Sequence, residues 1–171
     1  NVIIPINDYD IFQNSIDNNN INLTKRLMKL SNINVNRHNM HNITPITYAF
    51  YNGNIEMINL LLNDPRFDIY EIFKFGTYLH ITIQSIHLNE ISKRLIDKKI
   101  DINEIDALGY PIIYYAASTN NKEMFDLLLN KNVDNVDSSI FENFINEEFI
   151  NEELNDDKRY YLDKIKIKFL K

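Results

Sequence analysis

Two segments of this chain repeat each other at a distance of 67 residues. Residues 49–62 read AFYNGNIEMINLLL and residues 116–129 read AASTNNKEMFDLLL, so Ala, Glu-Met and Leu-Leu-Leu recur in register. A further copy at 90–96 lies midway and divides this distance into steps of 33 and 34. An earlier copy lies at 24–28. A period of this length predicts a solenoid, in which each repeat is one supersecondary unit stacked on its neighbours.

Within the copies, apolar residues recur at helical spacing, as Ile55, Ile58, Leu61 and Leu62 illustrate. Each copy therefore predicts two helices joined by a tight turn and followed by an extended loop. The first helices are predicted near 10–17, 44–52, 78–86 and 112–119. The second helices are predicted near 21–30, 54–63, 88–97 and 121–130.

Glycine is rare, with Gly53, Gly76 and Gly109 as its three occurrences. Gly53 stands where a first helix must end in a left-handed residue, and Gly76 and Gly109 precede first helices. At the place of Gly53 the other copies hold Asn19 or Asn20, and Asn120. Asn tolerates the left-handed region better than other side chains, so we expect it to replace Gly there at some cost in stability.

Three motifs identify the repeat type. Thr44-Pro-Ile-Thr-Tyr-Ala49 opens the second copy, Thr77-Tyr-Leu-His80 opens the third, and Asn103-Glu-Ile-Asp-Ala-Leu-Gly109 forms the loop of the fourth. With the 33-residue period, these motifs resemble the ankyrin repeat over roughly residues 9 to 137. The third copy departs by an extra residue near 85–88 and a missing one near Gly76, and the fourth has Pro111 at the usual Thr position.

The resemblance implies an all-α ankyrin-repeat solenoid of stacked helix-turn-helix pairs with projecting β-turn finger loops. It places the repeats near 9–36, 37–70, 71–103 and 104–137, within an array spanning 1–137. His80 matches the histidine that supports hydrogen bonding between loop and helix in this family.

The segment 138–171 breaks the pattern. Ser139-Ile-Phe-Glu142 is a capping-box signature, and residues 138–157 hold seven acids and no base. Tyr161, Ile165 and Phe169 form a helical apolar stripe, although 164–169 could equally form an alternating strand. We interpret the segment as a degenerate capping repeat, with a partner-recruiting appendage as the alternative. The acidic block argues against a basic membrane-surface helix.

Composition and motifs exclude several functions. The chain has no cysteine, a net charge of −6 and a pI near 5.2, which argues against thiol chemistry and against nucleic-acid binding. His38 and His41 could begin a metal site, but no third ligand lies close in sequence. The acidic cluster after 134 lacks the ligand spacing and glycine of a calcium loop. We therefore expect no metal, no cofactor and no enzymatic activity.

Location is predicted from what the sequence lacks. No apolar run approaches the roughly 18 residues of a membrane span. The N-terminus has no Met and no signal-peptide pattern, which suggests an excised fragment and an intracellular, cytoplasmic protein. The 27 Asn and 28 Ile fit an A/T-rich genome, as in viral or parasite proteins that act in the host cytoplasm.

In the ankyrin family, partners bind the concave side, formed by finger tips and the inner face of first helices. Carried over by position, the predicted partner-binding residues are Arg37, His38, Met40, His41, Tyr51, Asn52, Tyr70, Phe73, Lys74, Phe75, Glu104, Tyr115 and Ser118. Two alternatives stay open: Phe73 and Phe75 could pack under the neighbouring loop, and Tyr115 could pack between repeats.

The resulting hypothesis is a non-catalytic protein–protein interaction module, monomeric when free, that binds a protein partner of unknown identity through its concave surface. The first alternative is a substrate-targeting subunit whose C-terminal segment recruits other machinery, such as a ubiquitin ligase. The second is the recognition arm of a larger enzyme.

Overall fold

The computed structural model describes residues 8–72, 76–131, 133 and 156–169. Within these residues the chain is all-helical apart from loops, and an isolated antiparallel bridge pairs Ile105 with Pro111. The chain divides into two compact units, residues 1–71 and residues 72–171, which we call the N-terminal and the C-terminal unit. Each unit contains two helix pairs, as the repeat pattern predicts.

The N-terminal unit is built from two helix pairs that pack on each other. Helix α1 contacts α3, and α2 contacts α4, so the apolar face of each helix is buried against the next repeat. Phe12, Ile16, Ile46, Met57 and Leu61 form its fully buried core. The helices are α1 (Asp8–Asp17), α2 (Ile21–Leu27), α3 (Pro45–Tyr51) and α4 (Ile55–Leu62).

The C-terminal unit repeats this arrangement with one change. The predicted helix 78–86 ends already at Thr82 and is followed by a short 3-10 helix, Ile86–Leu88. This segment accommodates the extra residue of the third copy. The helices are α5 (Tyr78–Thr82), α6 (Asn89–Asp97), α7 (Ile112–Ser118), α8 (Lys122–Asn130) and the C-terminal helix (Asp156–Phe169).

Left-handed residues close the turn between the helices of three pairs. Asn19, Gly53 and Asn120 have φ of 55°, 62° and 55°. The prediction that Asn replaces Gly at this turn is therefore confirmed for Asn19 and Asn120. The third copy differs, because its 3-10 helix connects α5 to α6 without a left-handed residue.

The residue after each left-handed turn caps the second helix. Asn20, Asn54 and Asn121 accept a hydrogen bond through their side-chain oxygen from the backbone N–H three residues later, at 3.0, 2.8 and 3.4 Å. Such caps satisfy one of the free N–H groups at the start of a helix. The Asn pairs of this sequence thus have two distinct tasks, since one residue turns the chain and the next begins the helix.

A buried hydroxyl pair shows that the 67-residue period is also structural. Ser15 and Thr24 lie 2.8 Å apart between α1 and α2, and Thr82 and Ser92 lie 2.9 Å apart between α5 and α6. The second and fourth repeats have an alanine at the place of Ser15 and Thr82. The first repeat therefore resembles the third, and the second resembles the fourth.

The C-terminal helix packs against the fourth repeat. Tyr161 and Ile165 are buried, and the Tyr161 ring meets Phe125 of α8 edge-on at 4.8 Å. The Tyr161 hydroxyl donates to Asn120 at 2.8 Å, and the Lys168 ammonium donates to the Leu129 carbonyl at 2.5 Å. The segment 164–169 is therefore helical, and the strand alternative is wrong. The predicted capping box at 139–142 lies outside the described residues.

Candidate interaction surface

The finger loop of the second repeat is a tight turn built around Asn39. The Asn39 backbone N–H donates to the Ile43 carbonyl (3.0 Å), and the Asn39 side-chain oxygen accepts from the backbone N–H of His41 (2.8 Å). Asn42 has a φ of 60° and completes the turn. These bonds hold Met40 at the tip, where 92% of the residue is exposed.

The finger of the fourth repeat has the same construction with Asp106 in place of Asn39. The Asp106 carboxylate accepts hydrogen bonds from the backbone N–H groups of Leu108 (2.8 Å) and Tyr110 (2.9 Å). Gly109, with a φ of 84°, takes the place of Asn42. Leu108 is 72% exposed beside this turn.

A tyrosine on each first helix anchors these two fingers. Tyr48 accepts a hydrogen bond from the Asn39 side chain at 3.1 Å, and Tyr115 donates one to the Asp106 carboxylate at 2.5 Å. Burial, followed by the hydrogen bond to Asp106, raises the pKa of the Tyr115 hydroxyl. Tyr115 was predicted as a partner-binding residue, and its hydroxyl here positions a finger.

His80 lies under the fourth finger and is fully buried. Its Nδ1 atom accepts a hydrogen bond from the Thr77 backbone at 3.0 Å, so the neutral ring carries its proton on Nε2. Burial lowers the pKa of His80 to about 4, while the Asp106 charge and the backbone of Tyr110 and Glu104 act in the opposite direction. His80 is thus neutral near neutral pH, and its ring caps the start of α5 through Thr77.

The two loop histidines have different surroundings. His38 contacts the Glu71 carboxylate through Nε2 and the Asn42 side chain through Nδ1 at 2.7 Å. His41 is exposed. Among the residues that the structure describes, no three His, Asp or Glu side chains gather as metal ligands.

Most of the other predicted partner-binding residues are exposed. Tyr51 and Tyr70 are 64% and 62% exposed, and Glu104 is half-buried. Phe73, Lys74 and Phe75 lie outside the described residues. Exposed residues of the predicted set also include Arg37, Asn52 and Ser118.

The fourth finger, which the ankyrin resemblance places at 104–108, has an apolar surface that extends to two tyrosine rings outside the predicted set. Ile105 is 48% exposed, and Leu108 is more exposed still. Next to them, the half-buried rings of Tyr110 and Tyr114 stack at 4.3 Å. The sequence signal was the pair of apolar residues that flank Asp106 in a loop otherwise built from polar turn residues.

Comparison with known proteins agrees with the repeat pattern. Residues 89–129, from α6 to α8, match the family model for ankyrin repeats (many copies). Over 45 residues the chain is 44% identical to a protein of Borreliella burgdorferi described as an ankyrin repeat protein. This match covers 26% of the chain and 20% of that protein, so the chain spans about a fifth of the curated relative's length. Among the described residues, no helix has the length and apolar character that crossing a membrane requires.

Proposed function

We propose that the chain is an ankyrin-repeat protein and a non-catalytic module that binds a partner protein through its finger loops and the adjoining first helices. Repeats of this family generally mediate protein–protein interaction.

The main support for this proposal is the exposure of apolar side chains on a rigid turn. Met40 projects from a finger that is fixed by backbone and side-chain hydrogen bonds. Tyr51 and Tyr70 add exposed aromatic area elsewhere in the same unit. Exposed Met and Tyr side chains are typical of interaction surfaces, because they offer a large contact area at a small cost in conformational entropy.

The proposed surface of the N-terminal unit therefore comprises exposed or half-exposed side chains of the finger, of the end of α3 and of the second loop. These residues are Arg37, His38, Met40, His41, Tyr51, Asn52 and Tyr70. Because hydrogen bonds already fix the finger, we expect binding with little rearrangement of the backbone.

For the C-terminal helix we propose the role of a cap. Its buried residues Tyr161, Leu162 and Ile165 cover apolar residues of the fourth repeat, including Phe125. A terminal repeat must present a polar outer face, and Asp163, Lys164 and Lys166 are exposed on this helix. These contacts favour a cap over a recruiting appendage.

A paired affinity capture tests the binding proposal. One bait is the unchanged chain, and the other carries Met40→Ser, Tyr51→Ser and Tyr70→Ser; circular dichroism verifies that both are folded. As a matched control, Ile167→Ser removes an apolar side chain that is 66% exposed on the C-terminal helix. We expect a protein that the unchanged chain and the control capture and the triple variant loses, and that binds the purified chain directly.

Equal capture by all three baits would contradict the proposed surface. Loss of the captured protein with the Ile167→Ser control alone would instead assign binding to the C-terminal helix and remove the cap from consideration.

A further inference from the structure

The fourth finger and the first turn of α7 form a continuous apolar and aromatic surface. Ile105 is joined to Pro111 by an antiparallel bridge, and Leu108 lies in the turn between them. Tyr110 stacks on Tyr114 directly behind this turn. We call Ile105, Leu108, Tyr110 and Tyr114 the tyrosine finger. A contiguous apolar patch on a protein surface usually marks a contact with another molecule.

The charged residues within the segment that carries this surface all have one sign. Residues 100–121 contain Asp101, Glu104 and Asp106 and neither Lys nor Arg. Asp101 is exposed and Glu104 is half-buried, so both carboxylates can reach a ligand at the surface. A partner that covers the tyrosine finger is therefore favoured if it carries positive charge at the edge of the contact.

Asp106 adds a negative charge from below. It is 6% exposed, it is held by two backbone N–H groups and the Tyr115 hydroxyl, and it makes no ion pair with any residue in the described part of the chain. Because a buried carboxylate is poorly screened by solvent, its field extends to the overlying surface.

The aromatic rings of the surface reinforce this preference. The face of a tyrosine ring is electron-rich and attracts a Lys or Arg side chain within about 6 Å of the ring centre. Tyr110 and Tyr114 stack in parallel and lie edge-on to Tyr115, which donates its hydroxyl proton to the Asp106 carboxylate. Apolar area, ring faces and carboxylates thus occur together, and this combination suits a cation carried on an apolar stem.

We propose that the tyrosine finger binds an extended, positively charged segment of the partner protein, in which Arg or Lys alternates with apolar residues. The apolar residues would contact Ile105 and Leu108, and the cations would lie over Tyr110 or beside Asp101 and Glu104. The inference rests on the proposed function, and it specifies the chemistry of the partner. The surface would repel a nucleic acid, because the phosphates carry negative charge like that of the finger.

Titration of the isotope-labelled full chain with two peptides tests this inference by NMR. The probe is a short peptide of Arg-Ala-Leu repeats with blocked ends, and the control is the same peptide with Glu in place of Arg. We expect chemical-shift changes concentrated in residues 101–115 with the arginine peptide and none with the glutamate peptide. Shifts centred elsewhere, no binding, or equal binding of both peptides would overturn the inference.

Three variants identify the groups responsible. The double variant Asp101→Asn, Glu104→Gln removes both charges at constant shape, and we expect it to bind the arginine peptide roughly fivefold more weakly at low salt. Tyr110→Leu keeps the apolar area and removes a ring face, and we expect about a threefold loss. Ile167→Ser, on the C-terminal helix, serves as the control and should keep the affinity unchanged. Unchanged affinity in both finger variants would overturn the inference.

The two proposals can fail separately. If a partner is captured by the unchanged chain and lost with the Met40, Tyr51 and Tyr70 variant while the arginine peptide does not bind, the proposed function stands and this inference fails. If the peptide binds at residues 101–115 and the triple variant captures the same proteins as the unchanged chain, the tyrosine finger stands and the surface proposed for the N-terminal unit fails.

Discussion

Both units join neighbouring repeats through the Asn that caps the last of their four repeat helices, but they bury this residue differently. In the N-terminal unit, the Asn54 side chain donates to the Asn19 side-chain oxygen at an exposed site. In the C-terminal unit, Asn121 occupies the position of Asn54 and is 1% exposed. Asn121 and Asn89 donate to each other at 2.7 and 3.2 Å, and Asn121 also donates to the Ile83 carbonyl at 2.8 Å.

The N-terminal unit has in addition a loop contact without a counterpart in the described part of the C-terminal unit. The Arg66 guanidinium donates to the carbonyls of Met28 (2.7 Å) and of Leu30 and Ile33 (3.2 Å each), beyond the end of α2. It also forms an ion pair with Asp64 at 2.7 Å, and this hydrogen-bonded contact lowers the pKa of Asp64. One unit is thus joined across its loops and the other across a buried amide pair, so equal sequence register does not imply equal energetics.

The largest expected effect is the loss of a buried leucine, and it should be similar in both units. Leu61 and Leu128 are 67 residues apart, occupy equivalent positions in α4 and α8, and are 1% and 0% exposed. Replacing either with Ala should lower the free energy of unfolding by roughly 2 to 5 kcal/mol, because each leaves a cavity in a closed core. Urea denaturation followed by circular dichroism measures both. Losses well under about 1 kcal/mol at both sites would contradict the repeat register.

Glycine substitutions compare two finger turns of the C-terminal unit. At Gly76, whose φ is 85°, an added Cβ would lie 2.5 Å from the buried His80 ring, whereas at Gly109, with a φ of 84°, it would meet nothing within 4 Å. We expect Gly109→Ala to cost about 1 kcal/mol from backbone strain and Gly76→Ala about 3 kcal/mol, since the ring must also move. In the N-terminal unit, Asn42 holds the place of Gly109 and carries a side chain there at a φ of 60°.

Thermal unfolding of the two alanine variants measures this difference. The double variant Gly76→Ala, His80→Thr provides the control, because removing the ring should reduce the cost of the Gly76 change to that of Gly109→Ala. Equal destabilisation by Gly76→Ala and Gly109→Ala would show that His80 does not constrain the turn.

The buried amide pair provides the next test of the comparison. Asn121→Ala removes a helix cap and leaves the buried Asn89 side chain without its reciprocal partner, so we expect a loss of about 2 to 3 kcal/mol. Asn54→Ala removes an equivalent cap at an exposed site and should cost about 1 kcal/mol. Chemical denaturation of the two variants gives the difference. If both cost the same, burial of the pair contributes nothing beyond the cap.

Acid should lower the stability of the C-terminal unit, because this unit contains the buried His80. The N-terminal unit has no histidine at the equivalent position. The pKa of His80 is about 4 in the folded chain and near 6.5 as a free side chain, so the unfolded state binds the proton more tightly. The stabilisation is complete above about pH 6.5 and decreases as the pH falls, with about 2 kcal/mol lost at pH 5.

Urea denaturation of the unchanged chain and of His80→Gln between neutral pH and about pH 5 isolates this effect. The stability difference between the two proteins should shrink as the pH falls, because the glutamine does not titrate. A difference that stays constant with pH would mean that the folded state accommodates the protonated histidine.

The sequence predicted the helix pairs because their signals are local. Helical spacing of Ile55, Ile58 and Leu61 and the Asn or Gly at each turn depend on a few neighbouring residues, and the structure has helices at each predicted place in repeats one to four. The exception was the end of α5, where one inserted residue allowed either a longer helix or a 3-10 segment. Single-residue insertions change hydrogen-bond patterns that periodicity does not report.

The candidate surface was predictable only in part. Position within a repeat correctly indicated the exposure of Met40, Tyr51 and Tyr70. It could not indicate that Tyr115 would bind Asp106, because that contact depends on how the finger folds back on α7. The stacked rings of Tyr110 and Tyr114 were missed for the same reason: sequence gives the residues of a loop, whereas turn geometry decides which side chains lie together at the surface.

The smallest expected difference concerns the ion pairs that join second helices. Lys25 contacts Glu56 at 3.2 Å in the N-terminal unit, and Lys93 contacts both Glu90 and Glu123 at 2.6 Å in the C-terminal unit. These carboxylates raise the pKa of Lys93, but the groups are solvent-exposed, and exposed pairs contribute little to stability. We expect Lys93→Met to lower the urea midpoint slightly and Lys25→Met to lower it less. The difference should vanish in about 1 M NaCl, where charges are screened within about 3 Å. A salt-independent loss in Lys93→Met would assign the effect to packing of the lysine stem rather than to charge. The ion pairs would then not distinguish the two units. The difference between the units would lie in the buried amide pair and in the Arg66 contact.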